Sequence, residues 1–199
     1  MLAKLSAALL LIVLSVPFAG AQDRPATERL PQGLSYTGDN TLHLEVTTPQ
    51  RPYSYTFPNM VARLDRRREQ FMLAIPTLEP DLADPTVLDT MTPEEQAFLE
   101  QLVQVDRANP IIIRIFFPDA PLDLDDLNDE PITMGTEVEM GGRRYPTTAQ
   151  VQGYWQEDQL LISFSLMVDN TRLGTPPQTV EELQLFAQGV RLSGIPGYR

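Results

Sequence analysis

The chain contains no cysteine, and that single absence removes several ways of building and using a protein. Disulfides cannot staple it, thiolates cannot ligate a metal, and no thiol can act as a nucleophile. Histidine is nearly absent too, with His43 standing alone. A zinc site made of several imidazoles is excluded by count. Ser-His-Asp catalysis is left with one possible base and no G-x-S-x-G context for a nucleophile. No N-x-S/T acceptor occurs, because Asn40, Asn59, Asn109, Asn128 and Asn170 all fail the pattern. Positive charge is scarce: 15 Lys and Arg stand against 27 Asp and Glu, a net charge of −12. Neither a nucleic-acid backbone nor an anionic membrane surface suits such a balance.

A long apolar run is also missing. The longest lies near the start, where Lys4 precedes Leu5 through Val16 and Ala19-Gly20-Ala21 closes the stretch with small residues. A membrane span needs roughly 20 apolar residues, and this run is shorter. A basic start, a short apolar stretch and an A-x-A ending form a secretory signal peptide. Residues 1–21 are therefore expected to be removed, giving an exported, periplasmic or secreted chain beginning at Gln22. Edman or mass analysis of protein from the envelope fraction checks this directly, and retained Met1 would remove the compartment argument. Cleavage takes away Lys4 alone among charged residues, leaving 14 cations against 27 acids. The core must then hold the chain together without covalent cross-links.

Proline is plentiful at 18 and falls mostly between apolar runs, which suits short strands better than long helices. Residues 22–40 read as a polar leader, and residues 41–199 as one domain. Leu42, Leu44 and Val46 alternate with His43, Glu45 and Thr47, the signature of a half-buried strand. Tyr53, Tyr55 and Phe57 repeat the pattern. Residues 60–75 read as a hairpin turning at Arg66-Arg67-Arg68, although an Asn-Gly type of turn signal is lacking. Thr92-Pro93-Glu94-Glu95 starts a helix, with Thr92 as N-cap and Pro93 in the first position. Phe98, Leu99, Leu102 and Val103 give it an apolar side. Residues 111–117 are strongly strand-like. Gly141-Gly142 joins two alternating runs, and residues 160–168 alternate again. Residues 179–188 are ambiguous: Thr179 and Glu182 suggest a short helix leading into a last strand near Val190, yet Leu183, Leu185 and Ala187 alternate. Seven or eight strands and one helix predict a mainly β domain, an antiparallel barrel or a sandwich.

Chemistry is harder to find. On the polar side of its strand, His43 reads better as a surface imidazole than as a base. Asp123, Asp125 and Asn128 offer oxygen ligands, but the turn glycine of a calcium loop is missing and a solvated acidic loop is the better reading. Arg66 to Arg68 and Arg143-Arg144 sit at hairpin turns and serve solubility or a partner-facing rim. No cofactor is called for. Aromatic and aliphatic residues on the strands are more suggestive, because a small barrel either fills its interior with them or holds one apolar ligand there. Strand parity nominates Tyr55, Phe57, Phe71, Leu73, Ile113, Ile115, Trp155, Ile162 and Phe164 as lining residues.

Several segments carry a family resemblance. Leu64 to Leu78 reads LDRRREQFMLAIPTL, a turn into a strand ending in I-P. Phe98-Leu99 through Ala108-Asn109-Pro110-Ile111-Ile112-Ile113 is a helix followed by a Pro-led strand. Met140-Gly141-Gly142-Arg143-Arg144-Tyr145-Pro146 is a Gly turn with basic residues and Pro, and Asp169 precedes Leu173-Gly174. In this order the chain resembles the YceI-like, polyisoprenoid-binding family. The resemblance implies a lipocalin-like antiparallel barrel with one inserted helix, whose interior binds an isoprenoid or similar amphiphile without a catalytic residue. The expectation is an exported, non-enzymatic binding protein for an apolar or amphipathic small molecule. The alternative is an envelope structural or adaptor protein with a filled core that works through protein contacts.

Overall fold

The structure is a computed structural model that describes residues 40–49, 51–65, 67–75, 81–82, 89–103, 110–118, 127–128, 130–157, 159–174, 178 and 180–192. Ten strands are β1 (Leu42–Thr47), β2 (Pro52–Phe57), β3 (Val61–Asp65), β4 (Gln70–Ile75), β5 (Asp81–Leu82), β6 (Ile111–Phe116), β7 (Ile132–Met140), β8 (Arg143–Gln156), β9 (Gln159–Val168) and β10 (Glu182–Arg191). The helix α1 (Pro93–Val103) lies between β5 and β6. All strands join one antiparallel sheet in the order β3-β4-β6-β7-β8-β9-β10-β1-β2-β5. β5 is a two-residue bridge, so nine strands form the body.

This sheet curls into a half-barrel, and chain connectivity explains the curl. β2 lies beside one end of the strand order and β3 forms the other end. Only Pro58, Asn59 and Met60 separate Phe57 from Val61, a step that spans at most about 14 Å. The two flanks of the sheet must therefore approach each other. Asn59 takes a left-handed φ of 59° in this link. Asn40 secures the same corner: its amide and carbonyl exchange hydrogen bonds of 2.9 and 2.8 Å with the Arg191 backbone, and its backbone carbonyl accepts from Met60 N–H at 2.9 Å. The antiparallel barrel with one inserted helix is thus the fold, in a partly open form.

Alternation decides which side chains fill the concave face. Leu42, Leu44 and Val46 of β1 are fully buried, while His43 and Glu45 lie half-buried on the convex face. Along β8, Tyr145, Ala149, Val151 and Gly153 point inward, and Trp155 completes the row half-buried. Tyr154, its neighbour, is exposed on the outside. Gly153 has a specific reason to lack a side chain, because a Cβ there would lie 3.1 Å from Leu127 Cβ. Leu127, fully buried, plugs into that gap.

Turn chemistry follows the residues. Gly141 and Gly142 carry φ of 58° and 73°, the paired left-handed geometry of a tight β7–β8 hairpin. The β3–β4 turn manages without such a pair. The Asp65 carboxylate accepts from the Arg67 and Arg68 backbone N–H groups at 3.2 Å each, and Glu69 absorbs the positive φ of 50°. The helix start forms a reciprocal box, in which Glu95 N–H donates to Thr92 Oγ1 at 3.2 Å and Thr92 N–H donates to Glu95 Oε2 at 2.9 Å.

The region near the C-terminus differs from expectation. Glu182–Arg191 is one strand, β10, with no helix in it. It pairs with β1 on one side and β9 on the other, and two ladders outweigh a local capping signal. A bulge between Ala187 and Val190 keeps both Ala187 and Val190 inward, and Gly189 supplies the φ of 59° it needs. The strand count also exceeds the expected seven or eight.

Candidate functional site

The concave face is built from all the long strands at once. The nine nominated residues Tyr55, Phe57, Phe71, Leu73, Ile113, Ile115, Trp155, Ile162 and Phe164 fall in or against a single apolar cluster. All nine therefore share the apolar side of the sheet. Eight are buried to 6% exposure or less, and Trp155 is half-buried against the cluster. Register explains their contacts: Phe71 lies opposite Leu64 on β3 and Ile115 on β6, while Leu73 lies opposite Ile113. Phe117 meets Phe71 edge-on at 5.0 Å. Burial pushes the Tyr55 hydroxyl up to about 12, with smaller contributions from the charges of Tyr53 and Glu100.

Helix α1 closes this face from above. Phe98, Leu99, Leu102 and Val103 belong to the same apolar cluster, while Glu94, Gln96, Gln101 and Glu100 face solvent. Where α1 meets the β7–β8 hairpin, a cavity of about 160 Å³ is lined by Phe98, Gln101, Leu102, Met140, Gly141, Arg143, Tyr145 and Leu173. Burial raises the Tyr145 hydroxyl, and the neighbouring Arg143 guanidinium partly offsets the rise. Sequence reasoning grouped Arg143 with Arg144, and the strand separates them. Arg144 points outward, 3.4 Å from Glu139 and 3.9 Å from Glu137. Arg143 shares its parity with inward-facing Tyr145, a signal that was readable once β8 was recognised to begin at Arg143.

The convex face carries different chemistry. A shallow trough of about 410 Å³ crosses β8, β9 and β10, with Ser163 and Ser165 between Gln150, Gln152 and Gln184. His43 stacks on Phe186 at 4.9 Å with the rings 15° apart, which gives the lone imidazole a packing role. His43→Ala is expected to lower stability by about 1 kcal/mol in urea denaturation, the scale of an aromatic pair. A several-hundred-fold loss of any measured activity would instead revive an enzymatic base.

Other singled-out residues resolve into structural duties. Asp169 caps the short turn Asn170–Arg172, accepting from Thr171 N–H at 3.0 Å and the Thr171 hydroxyl at 2.6 Å. Those hydrogen bonds hold its carboxyl below the usual range. Arg67 and Arg68 are exposed at the β3–β4 turn, and Arg66 lies outside the described residues. So do residues 119–126 and Asp129 of the acidic run, and with them the expectation of a solvated acidic loop. Among the described residues no cluster of three or more His, Asp or Glu could hold a metal ion, and no helix is long and apolar enough to cross a membrane. No protein-family model and no curated protein matches the chain.

Proposed function

We propose that this is an exported, non-catalytic binding protein for an apolar or amphipathic small molecule of isoprenoid- or lipid-like chemistry. The ligand lodges against the concave face beneath α1. One observation carries this reading: a continuous apolar surface drawn from nearly every strand is roofed by a single helix of 11 residues. Displacing one short helix exposes that surface, and a ligand tail laid there removes apolar area from water at about 25 cal/mol per Å². The signal-like residues 1–21 support export, and the segments that resemble the YceI-like family support the ligand class.

Tight packing favours a second reading. The interior side chains leave almost no accessible surface, as expected of an adaptor with a filled core that works through its rim and convex face. Titrating geranylgeraniol into the mature chain while following Trp155 emission separates the two. Trp155 is the single indole and lies on the concave row, so an occupied interior gives a saturable spectral change and a one-to-one adduct in native mass spectrometry. A flat titration, with a protein partner co-purifying at fixed stoichiometry, supports the adaptor instead.

A further inference from the structure

We infer that the cavity between α1 and the β7–β8 hairpin is a head-group subsite for an anionic amphiphile, with Arg143 pairing its carboxylate or phosphate. This rests on the concave-face reading above and names the charge of its ligand. The argument starts from strand geometry. Arg143 opens β8 on the same row as Tyr145, so its side chain leaves the rim toward the cavity. A Cβ on Gly174 would lie 3.5 Å from Arg143 Nη1, so the guanidinium rests over a residue with no side chain to cover it.

Charge pairing then separates Arg143 from its neighbour Arg144. The exposed Arg67 and Arg68 of the β3–β4 turn also lack a carboxylate among the described residues, but of these three only Arg143 lines a cavity. Arg63 pairs with Asp65 at 3.0 Å, Arg114 with Glu137 and Glu139 at 3.1 Å, and Arg172 with Asp169 at 3.2 Å. Arg144 takes Glu139 at 3.4 Å. Among the described residues Arg143 has no carboxylate partner, although acids outnumber bases by 27 to 15 in the chain. It lines the cavity beside Tyr145 instead. The lining thus combines polar Arg143, Tyr145 and Gln101 with apolar Phe98, Leu102, Met140 and Leu173.

Size decides what fits. At about 160 Å³ the cavity is well below the roughly 300–1,000 Å³ of sites that enclose a whole small molecule. It accommodates a head group and its first carbons. A planar guanidinium binds carboxylate or phosphate through two parallel hydrogen bonds, and Phe98, Leu102, Met140 and Leu173 offer apolar surface to the first carbons of the tail. Arg143 has one competing duty, which is to offset the C-terminal dipole of α1, since that helix has no basic residue in its last turn.

The test compares ligands that share a tail. Geranylgeranyl monophosphate, palmitate, geranylgeraniol and inorganic phosphate are titrated by calorimetry into mature wild-type protein, Arg143→Gln and Arg143→Lys. Wild type is expected to bind the two anionic amphiphiles at least about ten-fold more tightly than the alcohol. Arg143→Gln is expected to abolish that preference, so that the two anionic amphiphiles bind no more tightly than the alcohol. Equal wild-type affinity for phosphate and alcohol overturns the inference and leaves the concave-face reading intact. Failure of every amphiphile to bind removes the concave-face reading itself. Inorganic phosphate binding as tightly as the amphiphile makes this a free-anion site and overturns the assignment. A lower melting temperature with the preference retained assigns Arg143 to the helix end. Should Arg143→Gln not fold, the wild-type preference at about 0.15 M and about 1 M salt decides, because screening weakens a real ion pair at the rim. A preference indifferent to salt overturns the inference.

Discussion

Phe71→Ala should destabilise the protein by about 3–5 kcal/mol, the range for deleting a fully buried phenyl. Phe71 has no solvent exposure and is held from three directions, by Leu64 and Ile115 across the ladders and by Phe117 edge-on at 5.0 Å. Neighbours fixed in two strand pairings cannot collapse into the space the ring leaves, so the cavity cost adds to the lost transfer energy. For a domain of this size each kcal/mol shifts the melting temperature by about 2–4 °C, so thermal unfolding should move by about 10 °C. The result also bears on function. A loss under about 1 kcal/mol would reveal an interior loose enough to host a ligand without rearrangement. The full loss means that a ligand must enter by displacing α1.

The second large effect lies on the opposite face. Arg114 projects from β6 on the convex side, where its Nη1 lies 3.1 Å from both Glu137 Oε1 and Glu139 Oε2. The Arg114 and Glu139 side chains are only 8% and 5% exposed, because Met72, Ala74 and Ile112 form a second buried apolar patch beside them. Arg114→Met should therefore cost about 3–5 kcal/mol, since Glu139 is left buried with Arg144 as its remaining cation in the network. Replacing the carboxylate as well, in Arg114→Met with Glu139→Leu, should recover part of that loss. Urea denaturation of both single variants and the double variant gives the coupling energy. Additive losses would show that the pair adds nothing beyond its separate packing.

Much of this fold was legible because strands write their burial with a period of two. Leu42, Leu44 and Val46, or Leu160, Ile162, Phe164, Leu166 and Val168, can satisfy a buried face only as strands. The helix start was equally readable, because Thr92 and Glu95 act on backbone groups three residues apart. Residues 179–188 misled for the same local reason. Their capping signal is a property of neighbouring residues, and the ladders to β1 and β9 that overrule it come from residues some 140 and 20 positions away.

The candidate site divides along the same line. Parity alone put the nine interior residues on one face, and it also resolved the Tyr154-Trp155 pair once β8 was in register. Parity could not tell a packed interior from an open one, because that depends on how far the sheet curls and on what roofs it. Nor could composition separate Arg143 from Arg144, since only the β7–β8 hairpin turns one toward Glu139 and the other toward α1.

By itself, then, the amino-acid order determined most of the strands, which face of each of those is apolar, and where the helix begins. Those features arise from interactions within a few residues. Tertiary structure decided the rest: the curl forced by the three-residue link from β2 to β3, the corner secured by Asn40 and Arg191, and the cavity where α1 meets Arg143 and Tyr145. Each joins groups far apart in the chain, and a contact of that kind exists only after the sheet has closed the distance.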